Sequence, residues 1–452
     1  MKLFKAQKLF DFEQPDWSKS PELYIIHQLL EQRIDIIKLA APCFPNLDQN
    51  NIIGRSGMTL EQVVRCAIYM KIKKIPYRDL ALDLVDSKMC IVFTNMEYGQ
   101  RFSHQTLQEN ISKITPAVLE KINVEICKLA MELGIENGKK MRTDATAVES
   151  NIHYPTNCSL LWDCIRVACR ILKNVTKIIK TINVSTYSKK TAKKLNYQIV
   201  NTKGQEKRIP LFKKMLRIQI KYMAQVKQAI VQLQALSFDD EKMEQPRQKF
   251  LSELESLLPK MEQVYDVAYR KEILNEQVPV AEKILSIFED HTDCISKGGR
   301  EVVFGHKVNM TAGKSNLIFD VTIEQGNPSD IDLFGKTLDN IKQNYDLVPR
   351  DFSADGGYAS AINLNDAKER GIENIVFTKN KGKAQNIVSS RKMETMLKKW
   401  RSGMEAIISN VKRGLAAYRS SWKGFEAFQS FVLWSIIAYN LKILAVSLLI
   451  NL

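Results

Sequence analysis

The stretch Asp351-Phe-Ser-Ala-Asp-Gly-Gly-Tyr358 predicts a short strand that ends on a carboxylate, Asp355, and turns at once on two glycines. A second stretch, Lys140-Met-Arg-Thr-Asp-Ala-Thr-Ala-Val148, also has the pattern of a strand and contains Asp144. Acidic residues in such settings are typical of metal ligands, because hard divalent cations prefer carboxylate oxygens. The two stretches therefore suggest a sheet with a metal site at its edge.

From residue 300 onward the sequence alternates between strand and helix patterns. Apolar residues recur at every second position on both sides of the turn Ala312-Gly-Lys-Ser315, which predicts a hairpin. Further signals predict these elements in order: a helix capped by Ser329, a strand at Asp351–Asp355, a helix from Ala359 to Arg370, a strand at Asn374–Thr378 and a helix carrying Glu405.

Together these elements give the order strand, helical insertion, strand, strand, helix, strand, helix, strand, helix. Without the insertion, this is the element order of an RNase H-like fold in the α/β class. The first three strands are expected to be antiparallel, and the strand-helix-strand units after them to form a parallel half of the sheet. In that arrangement Asp144 and Asp355 lie side by side, and the last helix brings Glu405 to them.

Two helical regions accompany this core. Residues 1–140 are predicted to form a helical N-terminal domain, in which Thr59-Leu-Glu-Gln62 is a capping box and two further short helices come after it. Three short helices with turns between them are compatible with helix-turn-helix DNA binding. Residues 141–452 are predicted to form the catalytic domain, interrupted by a large, charged helical insertion at 151–299.

Charge is concentrated in one part of the chain. The 452 residues have a formal net charge of +16 and a pI near 9.3, which points to a polyanionic partner, nucleic acid before membrane. Residues 166–230 contain 17 Lys or Arg and one acidic residue, Glu206, so this segment alone has a net charge of +16. The remainder has 49 basic and 49 acidic residues and is neutral.

Within that segment, cations recur at helical spacing. Steps of 4, 3, 4 and 3 residues place one group of side chains on a single helix face: Arg166, Arg170, Lys173, Lys177 and Lys180. Like charges at this spacing repel one another, and a phosphate backbone would relieve the repulsion. We therefore expect this face to bind DNA phosphates. The alternative is the solvated face of an ordinary amphipathic helix.

Cysteine usage and hydropathy favour a cytoplasmic protein. None of the eight cysteines forms a Cys-x-x-Cys pair and most have apolar neighbours, so we expect buried, reduced thiols rather than disulfides or structural zinc. The first residues lack an apolar signal core. Polar residues interrupt the apolar run from Phe431 to Leu452, which predicts a helix buried in the protein rather than a membrane span.

Three carboxylates form the candidate metal site: Asp144, Asp355 and Glu405. Metal-assisted phosphodiester chemistry uses oxygen ligands that hold two divalent ions about 3.5–4 Å apart, and carboxylates suit Mg²⁺ or Mn²⁺. Arg401, Glu405 and Lys412 are separated by 4 and 7 residues, so a regular helix would place them within roughly 40° of one another. Such a face can offer a carboxylate to a metal and cations to phosphates. The alternative is a surface salt-bridge ladder.

Several other polar residues are assigned structural or supporting roles. Asp320 sits in the middle of a strand and Asp351 at the start of another, and neither ends a strand in front of a glycine. His153 lies shortly after the first strand and is expected to be structural. Asp163 and Arg166, three residues apart, are expected to pair and fix the start of the basic helix.

These segments resemble the DDE transposases of bacterial insertion sequences. Asp144-Ala-Thr is similar to the first acidic motif of that family, and Asn151-Ile-His-Tyr-Pro-Thr156 is similar to the segment downstream of that motif in one branch. Ala354-Asp-Gly-Gly-Tyr358 is similar to the second acidic motif. The resemblance covers most of the chain and is most specific over residues 141–170 and 300–445.

The third acidic motif of this family is a Tyr-(2)-Arg-(3)-Glu-(6)-Lys signature. Arg401, Glu405 and Lys412 fall on its last three positions, and Lys398 stands in place of the tyrosine. The resemblance therefore implies Arg401 and Lys412 as DNA-binding residues, and Asp144, Asp355 and Glu405 as catalytic ligands of two Mg²⁺ or Mn²⁺ ions.

The resemblance implies a DNA transposase that acts on double-stranded DNA in the bacterial cytoplasm, without a membrane partner. Such an enzyme hydrolyses phosphodiester bonds at the ends of its mobile element and then transfers the freed 3′-OH into target DNA. Joining two ends implies a homodimer or a larger assembly. Two alternatives stay open: a nuclease of the same fold without strand transfer, and a non-catalytic DNA-binding derivative.

Overall fold

The computed structural model describes residues 15–45, 57–97, 99–185, 187–297, 301–379 and 385–450. The chain divides into two compact units: Met1–Asn151 with Ile295–Leu452, and Ile152–Cys294. The first 14 residues, where the sequence lacks a signal core, lie outside the described part.

Helices make up most of the described chain before residue 140. They are α1 (Pro21–Gln32), α2 (Ile34–Lys38), α3 (Leu60–Lys73), α4 (Tyr77–Asp86), α5 (Lys88–Phe93), α6 (His104–Ile111) and α7 (Pro116–Glu132). Thr59 and Gln62 exchange side chain-to-backbone hydrogen bonds, which confirms the predicted capping box of α3. Nearly all of α3 is buried, and its apolar side chains belong to the same core as those of the sheet.

The six strands that the structure describes form one sheet. They are β1 (Lys140–Glu149), β2 (Asp293–Lys297), β3 (Glu301–Ala312), β4 (Ile318–Glu324), β5 (Asp351–Asp355) and β6 (Asn374–Thr378). β3 is antiparallel to both β1 and β4, whereas β1, β5 and β6 are parallel. The predicted antiparallel and parallel halves are confirmed, in the order β4-β3-β1-β5-β6. The short strand β2, beside β3, was not predicted.

The unit Ile152–Cys294 is built from helices: α8 (Asn157–Ile178), α9 (Lys190–Asn201), α10 (Gln205–Gln234) and α11 (Glu241–Glu272). Thr156 caps α8 through a reciprocal hydrogen bond with Ser159. The apolar side chains of α8 are buried in a core that these helices form among themselves. Because α8 ends at Ile178, Lys180 lies beyond the helix, and the predicted basic face is shorter by one residue.

The remaining helices are α12 (Asp330–Tyr345), α13 (Ala361–Glu369), α14 (Arg391–Arg401), α15 (Gly403–Ser409) and α16 (Phe425–Ile450). Ser329 caps α12, and Gly371 comes after α13 with a φ of +88°, as the sequence predicts. The prediction of one regular helix through residues 401–412 is wrong. The helix is interrupted at Ser402 and widens into a π-helical turn at Asn410–Gly414.

The C-terminal helix α16 is a core element. By length and composition it is the one helix in the described residues that could span a membrane, but 61% of its most apolar window is buried inside the protein. Asn440 Oδ1 accepts a hydrogen bond from Ile318 N, and its Nδ2 donates to Ile318 O, each at 2.8 Å. These bonds fasten α16 to the start of β4. All eight cysteines are free thiols and six are buried, as expected.

Candidate active site

The parallel pairing of β1 and β5 brings two acidic residues to neighbouring positions. Arg142 lies opposite Ser353, and Asp144 and Asp355 each come two residues further on. Directly after Asp355, a Cβ on Gly356 would come within 2.7 Å of a carbonyl oxygen of β6. Glycine at this position therefore allows the chain to turn tightly against β6 and leaves the carboxylate at the end of the strand.

The guanidinium of Arg401 lies among all three predicted carboxylates. Its Nη2 is 2.6 Å from Oδ2 of Asp144 and 3.6 Å from Oδ2 of Asp355, so these two oxygens are at most 6.2 Å apart. Its Nη1 is 3.7 Å from Oε1 of Glu405. The structure thus brings Asp144, Asp355 and Glu405 together, and it places among them a cation that the sequence had assigned to phosphate.

Exposure increases from one end of this cluster to the other. The exposed fraction of the side chain is 7% for Arg401, 17% for Asp144, 35% for Asp355 and 71% for Glu405. Burial raises the pKa of Asp144 to about 6, while the charge of Arg401 opposes this shift and that of Asp355 adds to it. Asp144 is therefore the buried end of the cluster, and Glu405 faces solvent.

Lys412 reaches β1 from the π-helical turn. Its Nζ donates a hydrogen bond of 2.8 Å to the carbonyl oxygen of Ala147, three residues after Asp144. Turns of this kind insert one residue into a helix and are frequent at functional sites. Lys398, at the tyrosine position of the signature, forms an ion pair of 2.7 Å with Glu394 on the outer side of α14.

Two supporting groups were not identified from the sequence. Asp330, the first residue of α12, pairs with Lys307 at 3.0 Å, and its charge contributes to the raised pKa of Asp144. The hydroxyl of Tyr358 donates to Asn309 Oδ1 at 2.6 Å and so anchors the turn after Asp355 to β3. An acid at a helix N-terminus is ordinary on electrostatic grounds, so nothing in the sequence marked Asp330 as special.

The two acids that the sequence assigned to structural roles have other partners. Asp351 is buried and accepts hydrogen bonds from Asn374 Nδ2 at 2.8 Å and Arg350 Nη2 at 2.7 Å. Asp320 is buried as well and accepts one from Asn340 Nδ2 at 2.9 Å. Burial raises the pKa of Asp320 to about 6. Both residues are suitable controls for the three carboxylates of the cluster.

The basic face of α8 has two kinds of cation. The exposed ones are Arg170, Lys173 and Lys177. Arg166 is half-buried: its Nε donates to Asp163 Oδ1 at 2.6 Å, and its guanidinium lies 4.9 Å from the ring centre of Phe288. Asp163 also lies 2.6 Å from Nε2 of His153. The predicted pair of Asp163 and Arg166 is confirmed.

The cluster fits a hard divalent cation by the chemistry of its oxygens. In the described part of the chain, however, no three His, Cys, Asp or Glu side chains are arranged to hold a metal ion. The cation that these carboxylates contact is Arg401, whose Nε is buried without a hydrogen-bond partner. A metal would therefore compete with this guanidinium for the same oxygens.

Residues 288–441, about a third of the chain, match the family model of the transposase DDE domain. The matched region includes Asp355, Arg401 and Glu405, and Asp144 precedes it. Comparison with curated proteins and with solved structures gives no match. The family match supports a DDE transposase, a class of nucleic-acid-cleaving enzymes that generally use divalent metals.

Proposed function

We propose that this chain is a DNA transposase that hydrolyses phosphodiester bonds at the ends of a mobile element and joins the freed 3′-OH to target DNA. The observation that carries the proposal is the meeting of Asp144, Asp355 and Glu405 around one buried guanidinium. Three carboxylates from distant parts of the sequence are costly to bring together, so a cation-dependent function is the best reason for their position.

In this proposal Asp144 and Asp355 hold Mg²⁺ or Mn²⁺, two ions in all, and Glu405 completes the site. When bound, such ions lower the pKa of an attacking water or hydroxyl and stabilise the leaving oxygen. Glu405 is the most exposed of the three, so it is the carboxylate best able to reach substrate and take up a proton. Arg401 and Lys412 are assigned to the DNA backbone; for Arg401 this requires release from Asp144.

The rest of the chain is assigned to DNA binding and to support of the site. The strand order β4-β3-β1-β5-β6 and its mixed directions support an RNase H-like core for the catalytic domain, residues 141–452. Arg166, Arg170, Lys173 and Lys177 on α8 are proposed to bind phosphates, with Arg166 the least available of them. We assign the helical region 1–140 to DNA as well, since Lys73, Lys74 and Arg78 are exposed around the turn from α3 to α4.

The test uses the DNA that flanks the gene, because a mobile element carries its own ends. The purified protein is expected to cut a linear fragment containing both flanks in Mg²⁺ or Mn²⁺, and to join pre-cut ends with a free 3′-OH to a plasmid. Synapsis of two ends requires at least two copies, so the active complex is expected to contain a homodimer or a larger assembly. We place this activity at DNA in the bacterial cytoplasm.

The same assay separates the alternatives. Cleavage without joining would identify a nuclease of this fold, and binding without cleavage in either metal would identify a DNA-binding derivative. Cleavage that survives in Asp144→Asn, Asp355→Asn and Glu405→Gln would show that the carboxylate cluster is not the active site.

A further inference from the structure

A second buried guanidinium, that of Arg142, lies on β1 two residues before Asp144. Alternate residues of a strand face the same side of the sheet, so Arg142 and Asp144 share a face. The Arg142 residue is only 4% exposed, and burial lowers its pKa. A buried cation is costly, and the cost is offset only where its donors find well-placed acceptors.

The contacts of Arg142 connect three elements. Its Nη1 donates to the carbonyl oxygen of Trp400 in α14, and its Nη2 donates to Oδ1 of Asn316 in the turn between β3 and β4. The guanidinium carbon lies 4.5 Å from the ring centre of Trp400. Arg142 therefore holds the last turn of α14 from two directions, by a hydrogen bond to the backbone and by a cation–π contact.

Gly403, the first residue of α15, also lies against this guanidinium. A Cβ on Gly403 would overlap Nη1 of Arg142, so a larger residue would push the guanidinium or the helix away. Glycine costs roughly 1 kcal/mol relative to alanine inside a helix. Its presence here is explained by the close approach of Arg142, since its φ is not in the left-handed region.

Arg401 lies between these two contact points. Trp400 precedes it and Gly403 comes two residues later, while its own Nη2 reaches Asp144 on the same strand that carries Arg142. We propose that Arg142 is a positioning residue: it fixes the junction of α14 and α15 against β1, so that Arg401 and Glu405 meet Asp144. This inference rests on the proposed function for its catalytic consequence, but not for the contact itself.

The experiment compares two variants. Arg142→Met replaces the guanidinium with an apolar side chain of similar length, whereas Gly403→Ala keeps the guanidinium but adds a methyl group in the space that it occupies. Both are expected to speed amide hydrogen exchange over residues 401–409. Both are also expected to lower kcat for cleavage roughly 10- to 100-fold with little change in KM, because a misplacement of about 1 Å can cost 10²-fold. Arg142→Lys, which retains one donor and the charge, should recover part of the loss.

Lys140→Met is the matched control. Lys140 is also on β1 and its Nζ lies 4.4 Å from the same Trp400 ring. The variant therefore removes a cation–π contact to this ring but keeps the hydrogen bond from Arg142 to the Trp400 carbonyl and its approach to Gly403. Exchange over 401–409 and kcat should stay close to wild type. In a double-mutant cycle on urea unfolding, Gly403→Ala should cost much less in the Arg142→Met background, because the two residues act through one contact.

Wild-type exchange over 401–409 in Arg142→Met, or an equal cost of Gly403→Ala in both backgrounds, would overturn the inference. Faster exchange together with unchanged kcat would also overturn it, because the junction would then have no bearing on the site. If the wild-type protein cuts no DNA, the proposed function fails. Hydrogen exchange and the unfolding cycle then still test whether Arg142 fixes the junction of α14 and α15, because neither measurement needs cleavage activity.

Discussion

The carboxylate cluster and the basic face of α8 both concentrate charge of one sign, but the two regions treat it differently. In the cluster, the acids converge from β1, β5 and α15 on a guanidinium that is 7% exposed. On α8, three cations are exposed along one helix, and among the residues that the structure describes Arg166 alone of the four is tied to an acid, Asp163.

This contrast shows how burial determines what a charge can do. Charges removed from water are held by specific partners, so their positions are fixed within fractions of an ångström and small shifts matter. Exposed charges stay hydrated and move, so their effect on a polyanion depends on their number more than on their exact place. Under the proposed function, these properties suit the cluster to chemistry and the α8 face to retention of DNA of any sequence.

The largest effect is expected from the three carboxylates. Asp144→Asn, Asp355→Asn and Glu405→Gln should each lower cleavage by roughly 10³-fold or more, because several kcal/mol of transition-state stabilisation depend on the complete ligand set. DNA affinity in the same preparations should change little. Asp351→Asn is the control, since this acid is engaged by Asn374 and Arg350. If one of these variants still cleaves DNA, that carboxylate is not required. The cluster would then tolerate the loss of a single charge, as we expect of the α8 face.

The next effect concerns Arg401. Arg401→Gln is expected to lower cleavage roughly 10²-fold, as loss of a positioned cation at a phosphoryl-transfer site does. Its Tm in EDTA should also fall, because Asp144 loses its counter-charge, and Mg²⁺ should restore part of that loss. Scanning calorimetry with and without metal measures the second effect. An exposed cation of α8, such as Lys173, replaced in the same way should leave Tm unchanged in both conditions.

A smaller effect, on stability, arises from the pKa of Asp144. Its value of about 6 in the folded state lies above the ordinary 3.8, so the folded protein binds the proton more tightly and loses stability as pH rises between these values. Relative to Asp144→Asn, the free energy of unfolding of the wild type should fall by about 2–3 kcal/mol in total, levelling off above pH 6, and about 2 kcal/mol of this fall lies between pH 4.5 and 7.5. Urea unfolding in EDTA at pH 4.5 and 7.5 measures the difference.

The matched control for this pH effect is Asp320→Asn. Asp320 is another buried acid with a pKa raised to about 6, so the stability difference between the wild type and Asp320→Asn should change over the same pH window. It is expected to keep full cleavage activity, because its partners lie in β4 and α12. If the stability of the wild type changes with pH no more than that of Asp144→Asn, Arg401 compensates the carboxylate fully and the prediction fails.

The smallest change is expected on the basic face. Replacing Arg170, Lys173 and Lys177 together with alanine should reduce the slope of log affinity against log salt by about 0.9 for each phosphate that the variant no longer binds. Titrations with unrelated DNA sequences should show the same change. An unaltered slope would mean that this face is only solvated.

Arg166→Ala is the control for this triple variant. Because Arg166 is tied to Asp163 and packed against Phe288, its loss should lower the stability of the helical unit and change the salt slope less than any exposed cation.

The parts of this molecule that were predictable have local signals. The residue pattern at Asp351–Asp355 predicts a strand, and the two glycines after it predict where the strand ends. The rule for parallel strands then places Asp144 beside Asp355. The capping box at Thr59 and the stop at Gly371 likewise depend on only a few neighbouring residues.

The features that were not predictable depend on contacts between distant segments. The interruption of the helix at Ser402 accompanies the bond from Arg142 to Trp400, 258 positions away in the chain. Spacing predicted that Arg401 and Glu405 share a face, but nothing in the spacing shows that Asp144 would take the guanidinium. β2 forms beside β3, and its sequence Asp293-Cys-Ile-Ser-Lys297 has no regular alternation of apolar residues, so this strand depends on its neighbour more than on its own sequence.

The order of the site residues along the chain has a consequence for synthesis. Asp144 leaves the ribosome more than 250 residues before Glu405, and α16, which fastens to β4, is made after both. Contacts this far apart in sequence form late and slowly. Under the proposed function, a chain that stops before residue 405 through a nonsense mutation or a broken message lacks the third carboxylate and is expected not to cut DNA.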